Sequence, residues 1–210
     1  MTYYLLYFMP AKKSRQSTDA RQSEIVATLV RLSAERSASE ITTTDIARAM
    51  NVSQGALFRH FPTKEAIRLA VVDWIDATLM QRLLEARQHA SSPVGALRDM
   101  FMAHVTFAID YPGAPRLVFG ELQQPNESPI KHRVCRLMQH YRELLSEILE
   151  TAVSAKLVRS DVDRAAAAAL FLGAIQGLVI QSMISGTTQH LSEQARAVFG
   201  LYQKGLEAKP

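Results

Sequence analysis

The chain has a single cysteine, Cys135, among 210 residues. It cannot close a disulfide within itself, and no stretch sets cysteines and histidines at zinc-ligand spacing, so a reducing, cytoplasmic compartment is expected. G-x-S-x-G, H-E-x-x-H and a glycine-rich phosphate loop are also missing. Without those arrangements for nucleophilic, metal-dependent or nucleotide chemistry, no enzyme, no metal and no cofactor is expected. His132 and Cys135 share a helix face at i and i+3, but two ligands make a poor metal or catalytic site.

Strand signals are missing too, because no alternating apolar and polar run is flanked by a hairpin turn. No repeat of solenoid period occurs, and the only low-complexity tract is Ala165 to Ala169. The first eight residues, "MTYYLLYF", are apolar, yet no basic residue precedes them and they fall short of signal-peptide length. Met9 opens the basic run "MPAKKSRQ" and is an alternative start of translation; an intact mass that includes Met1 to Phe8 would exclude it. The longest apolar block, Ala165 to Ile184, approaches membrane-spanning length but is rich in alanine and interrupted by Gln176, Gln181 and Ser182. A buried helix is expected there, with no membrane association.

What is present is a folding composition, 48% hydrophobic, with an uneven distribution of charge. From Met1 to Lys64 there are nine Lys and Arg against five Asp and Glu, while the remainder is balanced at fifteen against fifteen. The formal net charge of +4 therefore lies in the first third, which points to a region that meets an anion such as nucleic acid.

Apolar residues recur at three and four along nearly the whole chain. Ile25, Val26, Leu29 and Val30 make one stripe; Val134, Leu137, Met138, Tyr141, Leu144, Leu145, Ile148 and Leu149 make a longer one. Punctuation divides this all-α pattern into about nine helices. The first spans about Thr18 to Arg36, two short ones lie near Thr43 to Met50 and Gln54 to Phe61, and a long fourth runs from Thr63 to His89. "SSP" at 91–93 starts the fifth and "YPGAP" at 111–115 ends it. A short sixth carries Leu117 to Leu122, "QPNESP" at 124–129 precedes the seventh, Asp161 opens the eighth, and the ninth covers Ser192 to Leu206.

Two short helices carry the strongest signal, "TTTDIARAMNVSQGALFRHF" at 42–61. Thr42 and Asp45 have the spacing of a capping box, and Ala47 is small enough for a second helix to cross closely. Asn51 suits the left-handed residue that ends a helix, and Ser53 is a strong N-cap. Leu57 and Phe61, four apart, give the next helix its buried side. This is a helix-turn-helix, whose second helix enters the major groove. Gly55 costs a helix about 1 kcal/mol relative to Ala. It either leaves room for backbone to approach a duplex or is a tolerated first-turn residue. Lys64, in the first turn of the fourth helix, opposes the helix dipole; either a docked phosphate or Glu65 compensates it.

Thr42, the "DIA" of 45–47, the "VSQGALF" of 52–58, the "HF" of 60–61 and the "KEA" of 64–66 together resemble the N-terminal signature of TetR-family transcriptional regulators. The resemblance covers about residues 20 to 70, and beyond it only the number and order of helices is similar. It implies three parts: a flexible basic arm at 1–17, a three-helix DNA-binding domain at 18–62, and a larger helical ligand-binding and dimerisation domain at 63–210. It further implies a homodimeric, ligand-responsive repressor of a near-palindromic double-stranded DNA operator. The alternative is a helix-turn-helix protein that acts structurally or through a protein partner, without a small-molecule inducer.

By the same resemblance Thr42, Thr43, His60 and Lys64 contact phosphate, Ser53 caps the recognition helix at the DNA, and Gln54, Gly55 and Ala56 face base edges. Arg59 reaches guanine or phosphate. Phe58 departs from the family's usual Tyr and so lacks a hydroxyl for phosphate. Lys12, Lys13 and Arg15 are either a minor-groove arm or a solvated tail. Trp74, Phe101, His104, Phe107, Phe119 and Tyr141 are candidate pocket residues for an apolar inducer, each of which also suits a plain core role. Ala169, Gly173 and Gly177 make a smooth ridge on the eighth helix, where the family dimerises.

Overall fold

A computed structural model describes residues 18–207. The basic arm with Lys12, Lys13 and Arg15, and the choice between Met1 and Met9, lie outside the described residues.

Helix α1 (Thr18–Ser33) buries Ile25, Val26, Leu29 and Val30, the stripe that its three-and-four spacing predicts. Helix α2 (Thr43–Ala49) and helix α3 (Gln54–Phe58) follow, and together these three form the helix-turn-helix unit. Helix α4 (Lys64–His89) leaves it through the N-cap Thr63, whose side chain accepts the Ala66 N–H. Helices α5 (Pro93–Asp110) and α7 (Pro129–Ser154) start alike, with Ser92 and Ser128 as N-caps and proline in the first turn, where a missing N–H costs nothing. Helix α6 (Gly113–Leu122) lies between them. Helices α8 (Arg164–Ser185) and α9 (Leu191–Leu206) complete an all-α fold of nine helices among the described residues.

Four boundaries differ from the spacing-based expectation, each for a local reason. Helix α1 stops at Ser33, and the Ala34 N–H turns back to the Arg31 carbonyl. Helix α3 ends at Phe58 rather than Phe61, because the Leu57 carbonyl takes both the His60 and Phe61 N–H groups and Pro62 follows. "YPGAP" ends α5 but also opens α6, since Pro112 has helical φ and Gly113 to Pro115 are already helical. Asp163, not Asp161, caps α8, its carboxylate accepting the Ala165 and Ala166 N–H groups at 2.9 and 3.0 Å.

The core of the larger part is made by α4, α5 and α7, closed by α8 and α9. Helix α8 is long and apolar enough to cross a membrane by length and composition alone. One of its faces, with Phe171, Leu172, Ile175 and Val179, is buried in the protein. Helix α1 packs on both α4 and α6, and so ties the helix-turn-helix to the rest. That second contact is backbone on backbone. A Cβ at Gly113 would collide with the Val30 carbonyl oxygen and stand 2.8 Å from the Ala34 nitrogen, so the residue there must be glycine.

Candidate nucleic-acid interface

The α2–α3 unit is assembled by capping. Thr42 accepts the Asp45 N–H on its hydroxyl at 3.1 Å, while its own N–H donates to the Asp45 carboxylate at 2.9 Å. The Thr42 hydroxyl also donates to that carboxylate at 2.7 Å; this bond first, the Thr42 N–H second, and the charges of Arg36 and Arg48 after them hold the Asp45 carboxyl below its usual range. Ile46 and Ala47 are buried. Asn51 adopts φ 54°, the left-handed conformation that its side chain tolerates, and the Val52 N–H returns to the Ala47 carbonyl at 3.0 Å. Ser53 then caps α3 by accepting the Ala56 N–H.

This local chemistry leaves one face open. Thr42, Ser53, Gln54, Gly55, Phe58 and Arg59 are exposed, with Thr43, Ala56, His60 and Lys64 half-buried beside them. A Cβ at Gly55 would meet nothing within 4 Å among the described residues, so none of these neighbours requires glycine there. Phe58 is 41% exposed, an unusual position for a phenyl ring on a five-residue helix.

Three contacts bind this face to the rest of the domain through residues distant in sequence. The Gln54 amide donates to the Thr43 hydroxyl at 2.7 Å and spans the two helices. Gln22 of α1 donates to the His60 carbonyl at 3.0 Å, and the His60 ring keeps its Nδ1 enclosed without a partner. The Lys64 ammonium donates to the Ser39 carbonyl at 3.0 Å, and partial burial, with Arg68 nearby, pushes its pKa down. Lys64 is thus compensated by a backbone carbonyl before α2, and not by Glu65 alone. Arg48, whose side chain is 76% exposed, adds a cation to this surface. The signal for it was its i, i+3 spacing from Asp45, which sequence inspection passed over.

The six interior candidates do not converge on one place. Trp74 and Phe107 cluster with Tyr111, the Trp74 and Tyr111 rings perpendicular with centroids 4.9 Å apart. Phe101, His104 and Tyr141 lie in a second cluster around Phe171. Phe119 is half-buried on α6 and shares in neither set of ring contacts among the described residues. In the second cluster the His104 Nδ1 and the Tyr141 hydroxyl are both enclosed without a hydrogen-bond partner among the described residues, their rings 5.5 Å apart. Burial lowers the His104 pKa to about 4 and raises that of Tyr141, so both are neutral near pH 7.

Ala169, Gly173 and Gly177 all lie on the exposed side of α8. Around them Leu170, Ile180 and Ile184 are 61%, 42% and 73% exposed, and Leu201 of α9 is 71% exposed. His132 meets Glu127 at 3.2 Å and Cys135 is exposed; among the described residues no group of three or more His, Cys, Asp or Glu is placed to hold a metal.

Two family models match this chain. Residues 25–71 match the model for bacterial regulatory proteins of the tetR family, and residues 123–198 match that for the tetracyclin repressor-like C-terminal domain. The chain belongs to the TetR family. TetR-family regulators bind DNA through the helix-turn-helix that α2 and α3 form here. Among curated relatives, the chain is 26% identical over 196 residues to the nucleoid occlusion factor SlmA of Haemophilus ducreyi, covering 91% of this chain and 97% of that protein. Among solved structures, the fatty acid degradation regulator FadR of Bacillus halodurans superposes with a TM-score of 0.80 at 17% identity, over 94% of this chain and 100% of that one. FadR of Bacillus subtilis in complex with stearoyl-CoA superposes at 0.77 with 18% identity, over 88% and 99%. At such identities the structures share the fold. The protein is a TetR-family, helix-turn-helix, DNA-binding transcription regulator.

Proposed function

We propose that the protein is a homodimeric repressor that occupies a near-palindromic operator and is released by a small, mainly apolar ligand. The observation that carries the DNA side is the open α2–α3 face, on which Gly55 has no internal reason to be glycine. Gln54, Gly55 and Ala56 read bases there, with Arg59 at guanine or phosphate, and Thr42, Thr43, Ser53, His60 and Lys64 hold the backbone. Phe58 lies against sugar or a thymine methyl.

Dimerisation is supported by the exposed side of α8. Ala166, Leu170, Gly173, Gly177, Ile180 and Ile184 recur at alternating four and three, the seam of a helix that packs against another helix, and no Cβ contact fills either glycine. Two copies joined there set their recognition helices about 34–36 Å apart for adjacent major grooves. The division of labour is 18–62 for DNA and 63–210 for ligand and partner copy. Such a regulator works in the cytoplasm.

Ligand response is supported by the enclosed, partnerless His104 Nδ1 and Tyr141 hydroxyl, which a ligand with one polar group would satisfy. The apolar part of such a ligand has a counterpart in the stearoyl chain of the stearoyl-CoA in complex with the similarly folded FadR of Bacillus subtilis. The second reading, DNA binding without an inducer, is favoured by the curated relatives named as nucleoid occlusion factors. Thermal melting against small apolar compounds separates the two. A raised midpoint in the wild type, lost in Tyr141→Phe, supports the inducer; no shift with any compound favours the second reading.

A further inference from the structure

A cavity of about 300 Å³ opens where α1 of the DNA-binding unit crosses the start of α6, lined among others by Val30, Arg31, Glu35, Trp74, Asp110 and Tyr111. It is separate from the His104–Tyr141 cluster, none of whose residues lines it. Its size is at the lower end of small-molecule sites. Two perpendicular aromatic rings, Trp74 and Tyr111, form one corner. The faces of such rings carry negative electrostatic potential, and this cluster already draws one cation: the Arg82 guanidinium stands 5.4 Å from the Tyr111 ring centroid and 5.6 Å from that of Phe107. Arg82 also pairs with Asp110 at 2.7 Å. The remaining charged groups of the wall are Arg31, in the last turn of α1, and Glu35, two residues past its end; among the described residues neither takes part in an ion pair. With Asp110 already held by Arg82, the wall offers an aromatic corner and one unpaired carboxylate, Glu35, with the Arg31 guanidinium opposing it.

We infer that this cavity binds a small aromatic ammonium compound, with its ring in the Trp74–Tyr111 corner and its cationic nitrogen toward Glu35. Its position gives it a route to the DNA-binding domain. Gly113 seats α6 directly on the α1 backbone beside the cavity, so a ligand there presses on the joint itself.

Trp74 is the only tryptophan in the chain, so all tryptophan emission arises from the wall of this cavity. The test titrates the full-length protein with benzyltrimethylammonium, and in parallel with neutral benzyl alcohol and anionic phenylacetate. The expected result is a saturable change in Trp74 emission for the cation below about 10 mM, with little response to the other two. Glu35→Gln should weaken it about fivefold and Arg31→Gln should strengthen it, both being exposed, unpaired side chains whose replacement leaves the fold intact. No saturable response, equal binding of the alcohol or the anion, or affinity unchanged in both variants would overturn the assignment.

Discussion

Gln54 shows how much of a site can be prepared before its ligand arrives. Its amide is held 2.7 Å from the Thr43 hydroxyl, so part of the ordering of a base-reading side chain is already done in the free protein. Gln54→Ala should cost about 1–3 kcal/mol on the operator and little on random DNA, as read by fluorescence anisotropy at fixed salt; equal losses on both would end its base-reading role. His104 makes a different prediction. Its folded pKa of about 4 lies below the ordinary 6.5, so the unfolded chain binds a proton between those values that the folded protein excludes. The stability associated with its neutral form is whole above about pH 6.5 and declines as the pH falls toward 4, by about 3 kcal/mol in all. Urea unfolding should therefore fall more steeply between about pH 6.5 and 4.5 in the wild type than in His104→Gln, and parallel curves would contradict the burial argument.

At the scale of elements, two contacts fasten α6. Gly113 seats its start on α1, and the buried Glu121 near its end pairs with Arg68 of α4. Gly113→Ala forces two backbones apart rather than displacing a flexible side chain. A loss of roughly 3 kcal/mol, seen as a lower thermal midpoint, is expected. A midpoint equal to that of the wild type would mean that α6 can lift from α1 freely. These contacts also explain what could and could not be read from the chain. The Thr42–Asp45 box, the left-handed Asn51 and the cap Ser53 depend on residues at most three apart and were legible, as were the starts of α4, α5 and α7 near Thr63, "SSP" and "QPNESP". The pairs Gln54–Thr43, Lys64–Ser39 and Arg68–Glu121 join residues 11, 25 and 53 apart, where no periodicity reaches. Asp161 and Asp163 illustrate the limit: both suit an N-cap, and only the fold decides that Asp163 faces the free N–H groups. The six interior candidates shared a composition but not a location, because a helix face fixes direction and not the partner helix.

For the whole molecule, the same apolar helix α8 serves two surfaces. Its inner side completes the core through Phe171, while its outer side leaves Leu170, Ile180 and Ile184 bare in a single copy. Gly177→Arg separates the two roles, since nothing within 4 Å opposes a side chain there in the monomer. The variant should stay folded, sediment as a monomer at micromolar concentration, and lose operator affinity by about 100-fold as two-site binding is lost. A variant that remained dimeric would place the interface elsewhere. The central claim is that the α2–α3 face reads sequence in a symmetric pair. The most direct measurement is selection of fragments of the source genome by the purified protein at physiological salt, with Gln54→Ala alongside. A near-palindrome enriched by the wild type and lost in the variant is the predicted result. Fragments drawn without common sequence, or the same set in both proteins, would contradict the account.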